Sequence, residues 1–392
     1  MSTTITETTT LATSLHGAKD LRIENRTLPP PGPNDLQIQI RATGLCGSDL
    51  HYYNHNANGD IKVLEPLTLG HESAGVVLSV GSNVSSKFAP GDKVALEVGL
   101  ACRQCERCLE GRYNICAGMK FGSSAKGGLP HTQGTLQGRV NHPADLCYKL
   151  GEGMNLELGA LVEPLSVAIH ASRRATIKED ASLRGKVLVF GAGAVGLLCA
   201  AVCKLEGVKR VIIADVDAGR VDFAVKNGFA HEGFLVPMRR GSTTEENLDI
   251  AKLTASEISS VKSADGTVVG EVDAVFECTG VPSCVQTAIY STRPGGKILL
   301  IGMGTPIQTL PISAAALREI DLVGVFRYAN AYPAAIEMLS LTPGPDGPDF
   351  SKLVTHRVEG LKNVEKAFNM AGKTKDERGE LVLKVMVLME EV

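Results

Sequence analysis

Apolar and polar positions alternate along the first third of the chain. Leu36-Gln-Ile-Gln-Ile40 alternates strictly, as a strand with one buried face does. Gly75-Val-Val-Leu-Ser-Val-Gly81 and Asp92-Lys-Val-Ala-Leu-Glu-Val98 read as further short strands, bounded by Gly, Pro and Asn. The pattern then changes to unbroken apolar runs of strand length at Val187–Phe190, Val211–Asp215, Asp273–Cys278, Lys297–Gly302 and Asp321–Phe326. Helix-capable stretches such as Ala194–Glu206 and Arg220–Gly228 lie between them. Apolar strands alternating with helices predict an α/β architecture with a parallel sheet covered on both faces. The polar segment Met238–Gly270 reads as a surface excursion between two such strands. From Tyr332 the chain starts as a helix and closes with Glu380-Leu-Val-Leu-Lys-Val-Met386, a strand-like run able to rejoin the first domain. Met1–Thr13 is Ser/Thr-rich, lacks the charged start of a secretory signal, and reads as a loose tail.

One run tests for a membrane segment. Val187–Cys203 holds seventeen residues without a charge, at the lower limit for a spanning helix. Gly191, Gly193 and Gly196 interrupt it, so it reads as a buried strand entering a buried helix. Composition narrows the partners further. The chain has 392 residues, with 40 basic and 43 acidic side chains and a net charge of −3. No basic run of the nucleic-acid-binding type is present, which points to a small-molecule partner, with no nucleic acid and no membrane. Ten cysteines in a chain of this length do not make a disulfide scaffold. They fit a reducing compartment, and the expected location is cytoplasmic.

Four of those cysteines are clustered. Cys102, Cys105, Cys108 and Cys116 are separated by two, two and seven residues. Four thiolates on so short a loop suit the tetrahedral coordination of a closed structural Zn²⁺, where two disulfides would be strained. A second fingerprint is Lys186-Val-Leu-Val-Phe190 running into Gly191-Ala-Gly193-Ala-Val-Gly196 and an apolar helix. Gly191 allows the tight turn, Gly193 the approach of a pyrophosphate, and Gly196 the packing of helix on strand. Asp215 ends the second strand, nineteen residues after Gly196. A carboxylate there accepts the ribose hydroxyls of NAD and repels a 2′-phosphate. Arg220 is placed to cover the adenine.

A third constellation joins Gly44-Leu-Cys46-Gly-Ser48-Asp-Leu-His51 to Gly70-His71-Glu72. Cys46, His71 and Glu72 offer S, N and O donors with a fourth position left open, the pattern of a catalytic zinc. Read singly, each has a plainer role: a thiol in a turn, a strand-end hydrogen-bonder, a solvated charge.

With these segments, Glu163-Pro-Leu-Ser166, Gly111-Arg-Tyr-Asn114 and Arg327-Tyr328-Ala-Asn330, the chain resembles the zinc-dependent medium-chain alcohol dehydrogenases, and the sorbitol, xylitol and L-arabinitol dehydrogenase branch in particular. The resemblance runs from about Leu36 to Met386. It implies a GroES-like β-rich catalytic domain over residues 1–165 and 332–392, and an inserted Rossmann domain over 166–331. The active site is then expected in the cleft between them. It implies two zinc ions per chain, NAD, a polyol/ketose substrate and a homotetramer. The catalytic zinc falls on Cys46, His71 and Glu72, with Glu163 nearby; Ser48 and His51 are candidates for the proton relay, and Tyr52, Phe121, Arg327 and Tyr328 for contacts to the polyol. Two departures concern the pocket: a long Gly-rich segment at 122–135, and Arg327-Tyr-Ala-Asn-Ala-Tyr332 in place of the family's Arg-Tyr-Cys-Asn-Thr-Trp. A non-catalytic NAD-binding scaffold and a zinc-free quinone reductase are the competing readings. The joint presence of Cys46, His71, Glu72, Glu163 and Asp215 argues against both.

Overall fold

The computed structural model describes residues 7–263, 265–341 and 347–390. The chain forms two compact units. One is built from the described residues of Met1–Glu163, Ala329–Leu341 and Phe350–Val392, the other from those of Pro164–Tyr328 and Thr342–Asp349.

The first unit is organised on a seven-stranded sheet. Its strands run in the order Cys147–Lys149, Lys93–Leu96, Glu72–Val80, Asp35–Gly44, Lys384–Leu388 and Val354–Glu359, and Arg139–Pro143 also pairs with Asp35–Gly44. The pairings are antiparallel except that between the strands starting at Val354 and Lys384. The alternation at 36–40 has a cause beyond a single core face. Gln37 and Gln39 are buried as well as Leu36, Ile38 and Ile40, because neighbours cover both faces of this central strand. Gln37 answers that burial by donating to Asn141 Oδ1 at 3.3 Å. The strand Lys384–Leu388 closes onto Ala42–Gly44, which carries the end of the chain to the segment that precedes Cys46.

Two expectations change here. Thr8–Gly17 is a strand, paired along its length with Asp20–Leu28, so a loose tail does not extend to Thr13; residues 1–6 of that expected tail lie outside the described residues. Its inward positions Ala12 and Leu15 are fully buried, and β-branched threonines suit the pleat.

The second unit holds a six-stranded parallel sheet in the order Glu232–Leu235, Arg210–Asp215, Lys186–Phe190, Val272–Glu277, Thr292–Leu300 and Asp321–Gly324. The apolar runs are strands because both faces are covered: Val187 to Val189, Val211 to Ile213 and Ala274 to Phe276 are all at zero exposure. The order reverses at Lys186–Phe190, which is the topological switch point where open sheets of this kind bind ligands.

The second change is at 238–270. The segment contains a helix, Thr244–Ser259, and is not merely a surface excursion. Its buried face is made of Ala251, Thr254, Ala255 and Ile258, mostly small or polar residues that carry little hydropathy signal. Ile258 nevertheless joins the apolar core with Leu188, Ile212 and Val275. The start of the helix has a local signature: Thr243 caps the Glu246 N–H, and the Glu246 side chain answers to the Thr243 N–H. Thr243→Ala removes this cap at a cost of about 1 kcal/mol. Amide exchange in the first turn of Thr244–Ser259 is then expected to quicken by roughly fivefold, as hydrogen-exchange mass spectrometry can read. An unchanged rate would show that packing alone holds this end.

Candidate metal and dinucleotide sites

Cys102, Cys105, Cys108 and Cys116 bring their sulfurs within 4.8 Å of one another. Cys105 and Cys108 are 3.5 Å apart, and Cys102 and Cys108 3.9 Å. Zn–S bonds of about 2.3 Å place the corners of a tetrahedron roughly 3.8 Å apart, so the set fits this ion. Cys105 caps the short helix Glu106–Leu109, which turns Cys108 back toward it. Without metal the thiols are unequal. Backbone N–H groups of Gln104 and Cys105 lower Cys102 to about 6, while burial, and then its bond with Cys105, push Cys108 up to about 12. The lobe is tied down through Tyr113, which receives the Asn330 N–H at 2.7 Å and donates to Glu97 at 2.6 Å. Asn330 also donates to the Gly111 carbonyl at 2.8 Å. Two motif segments far apart in sequence thus meet, and in this unit Asn330 has a structural task.

Cys46 Sγ, a His71 ring nitrogen and a Glu72 carboxylate oxygen also lie within 4.8 Å of one another. Cys46 is the N-cap of the helix Gly47–His55. His71 and Glu72 follow Gly70, whose φ of 87° turns the chain into the strand Glu72–Val80. A Cβ at Gly70 would meet Leu136 and Thr43 at 2.9 Å, so only glycine fits. Sequence reasoning missed three residues that hold this site. Asp49 is fully buried; its carboxylate accepts the N–H of Cys46 at 3.2 Å and of Gly70 at 3.1 Å, and lies 3.3 Å from His71 Nδ1. The Ser123 hydroxyl is 2.7 Å from the same nitrogen. Lys384 places its Nζ 2.8 and 2.7 Å from the two oxygens of Glu72. Signals existed for two of them. Asp49 stands three residues after the helix cap, the capping-box position. Lys384 is a lone charge in an apolar strand, which calls for a buried partner. Ser123 had none, since its position depends on a φ of 61°.

Electrostatics follow from this packing. Burial alone would lower His71, but Asp49 and Cys46 outweigh it and raise the imidazole well above its ordinary value. Burial would raise Asp49, but His71 and the two backbone donors lower it. With Nδ1 engaged by Asp49 and Ser123, Nε2 is left as the donor to a metal.

The other expected residues separate. Glu163 is buried in the first turn of Val162–Ala175, and its charge contributes to the field at Lys384. Phe121 packs edge-on to His71 at 5.6 Å between centroids. Tyr52 is buried and its hydroxyl receives the Ala125 N–H at 3.4 Å. Ser48 is half-buried at the start of the helix with Asp49 inside it, and His51 is exposed beside His55. Arg327 and Tyr328 belong to the second unit; Arg327 lies over the Phe326 ring at 4.8 Å.

In that unit, Gly191 has a φ of 92°, and a Cβ at Gly196 would collide with the Gly191 carbonyl. The helix Ala194–Leu205 starts at Gly193 with no side-chain cap, leaving N–H groups for a phosphate. Asp215 is set at the strand end by the N–H of Ala192 at 2.7 Å and of Asp217 at 2.9 Å. A Cβ on Gly193 would come within 3.8 Å of Arg220.

Residues 32–152 match the alcohol dehydrogenase GroES-like domain, and residues 194–340 the zinc-binding dehydrogenase domain. A sorbitol dehydrogenase of Arabidopsis thaliana is 40% identical over 377 residues, 96% of this chain and 94% of that protein. The chain belongs to the zinc-dependent medium-chain alcohol dehydrogenases, in their polyol branch. As such it is an NAD-dependent oxidoreductase acting on CH–OH groups. An L-idonate 5-dehydrogenase of Vitis vinifera is 38% identical over 96% of the chain and 94% of its own length. The crystal structure of the Escherichia coli L-idonate 5-dehydrogenase aligns with a TM-score of 0.82 at 25% identity, covering 98% of this chain and 100% of that one. Among the described residues, no helix is long and apolar enough to cross a membrane.

Asp49→Asn should weaken zinc at the Cys46 site by about 10–100-fold, because His71 loses the carboxylate that orients it. The pH dependence has a definite sign. His71 binds its proton more tightly than usual, and metal must displace it, so zinc affinity rises with pH through the raised His71 range. In the Asp49→Asn variant this slope should shift to lower pH. Chelator competition across pH checks both, and an unmoved slope would show that Asp49 does not govern His71.

Proposed function

We propose that this dehydrogenase oxidises a secondary hydroxyl of a polyol of the sorbitol, xylitol or L-arabinitol type to the ketose, reversibly, with NAD⁺. The carrying observation is the convergence of Cys46, His71 and Glu72 donor atoms within 4.8 Å. Zinc held there supplies Lewis-acid polarisation of the substrate hydroxyl, and NAD⁺ bound over Gly191, Gly193 and Gly196 supplies the hydride acceptor. We assign a second, structural zinc to Cys102, Cys105, Cys108 and Cys116.

The chain's own residues do the rest. Asp49 and Ser123 fix the tautomer and direction of His71. Ser48, two residues along the chain from Cys46, takes the substrate proton, and exposed His51 on the same helix passes it to water. Glu163, buried close enough to act on Lys384, holds a negative charge beside the reacting centre. Phe121 and Tyr52 shape the polyol side of the pocket, and the Gly-rich segment 122–135, through Ser123, Ser124 and Ala125, connects to both His71 and Tyr52. Asp215 accepts the ribose hydroxyls and selects NAD over NADP, with Arg220 covering the adenine. Ten free cysteines support a cytoplasmic setting. The family resemblance supports a homotetramer.

Metal analysis of the pure protein is expected to give two zinc ions per chain, and Cys46→Ala to abolish turnover while NADH fluorescence titration still reports binding. A zinc-free protein that oxidises polyols would end this reading. A substrate panel of sorbitol, xylitol, L-arabinitol, galactitol and L-idonate at fixed NAD⁺ ranks the candidates. In a separate test, Asp215→Ala should cost NAD roughly 1–3 kcal/mol, the scale of a lost buried acceptor, and let NADP compete. An unchanged ratio of NAD to NADP efficiency would remove Asp215 from ribose recognition.

A further inference from the structure

A third group of metal-ligating side chains lies outside the sites described above. His356, Asp376 and Glu380 place a ring nitrogen and two carboxylate oxygens within 4.8 Å of one another. His356 stands on the strand Val354–Glu359, and the two acids lie on the turn that leads toward the strand Lys384–Leu388. Backbone bonds close that turn: the Asp376 N–H donates to the Glu380 carbonyl at 2.9 Å, and the Gly379 N–H to the Asp376 carbonyl at 3.1 Å. Asp376 Oδ1 is taken by the N–H groups of Arg378 at 2.9 Å and Glu380 at 2.7 Å. Its Oδ2 is then left facing His356 Nε2 at 3.5 Å, with the two side chains only 11% and 14% exposed.

The network around His356 assigns its ring proton. The Thr355 hydroxyl has one proton, directed at the Lys384 carbonyl at 3.5 Å, and it already accepts the Leu383 N–H at 3.0 Å. It therefore meets His356 Nδ1, 3.0 Å away, as an acceptor, and Nδ1 carries the hydrogen. Nε2 is left with a lone pair, buried and without a hydrogen-bond partner. Two acceptors, Nε2 and Oδ2, thus face each other, and among the described residues no lysine or arginine pairs with Asp376 or Glu380. Such a pair needs a cation between its members. The separation suits one: N and O ligands about 2.1 Å from a tetrahedral ion are roughly 3.4 Å apart. We propose that His356, Asp376 and Glu380 form a third divalent-metal site, which takes zinc or a similar borderline ion and ties the strand Val354–Glu359 to the turn before the last strand. The imidazole donor favours such ions over calcium or magnesium. Three ligands, one of them exposed, hold the ion more weakly than four thiolates do, so it leaves on dialysis while the other two zincs stay.

The experiment uses dialysed full-length enzyme and zinc alone. Titration is expected to add a third equivalent. At ten times the half-saturating concentration, the hydrogen-bonded amides of Asp376, Gly379 and Val382 should exchange about tenfold more slowly, since opening the turn must first release the ion. His356→Gln and Asp376→Asn should each lose the third equivalent and the protection while keeping the first two zincs. Asp376→Asn, in a surface turn, decides the matter if His356→Gln fails to fold. Absence of a third equivalent in the wild type would show that a proton alone joins His356 to Asp376, and would overturn the proposal. Protection that survives in both variants would place the ion elsewhere and overturn it equally. Calcium at the same concentration should leave exchange unchanged; equal protection by calcium would show that carboxylates alone bind and that His356 is no ligand.

Discussion

The Asp49 carboxylate is the interaction on which the candidate metal site depends. It is buried, and it holds the N–H of Cys46, the N–H of Gly70 and the ring of His71 at once. The two loops that deliver the ligands are therefore fixed to each other before any metal arrives. A buried carboxylate is costly unless its acceptor sites are filled. Here the filled sites are the ones that set ligand geometry, so stability and preorganisation have the same source.

Lys384 and Glu72 complete this frame from the other side. Glu72 begins the strand that lies beside Asp35–Gly44, and Lys384 begins the strand on that strand's opposite edge. Side chains from two strands flanking a third meet only because Gly44, between them, has no Cβ to block the path. Sheet register therefore sets the chemistry: a slip of one residue would turn Lys384 or Glu72 to the opposite face. The nucleotide unit follows a different logic. Its glycines act through backbone shape, and Asp215 is aimed by the N–H groups of Ala192 and Asp217 at the end of its strand.

Much of this is legible along the chain, for reasons that differ by element. The central parallel strands show because burial on both faces demands continuous apolar runs, whereas the edge strand Glu232–Leu235, only partly buried, carries no such run and is not legible. The helix Thr244–Ser259 does not show, because its buried face uses Ala251, Thr254 and Ala255, whose small side chains pack closely without raising local hydropathy. The strand Thr8–Gly17 is hidden by its threonines, which read as polar tail when their pairing with Asp20–Leu28 is unknown.

Chemistry that depends on short spacing is written in the order of residues alone. The four cysteines within fifteen positions, the strand–Gly-x-Gly-x-x-Gly–helix unit and the acid after the second strand each act over one turn or loop, so local order along the chain dictates geometry. The surroundings of the Cys46 site are a product of the folded sheet. Lys384 and Glu72 are 312 residues apart in sequence, and Ser123 and His71 are 52 apart. No local preference encodes such pairs; strand register, the turn at Gly70 and the missing Cβ at Gly44 bring them together, and these exist only once the sheet has formed.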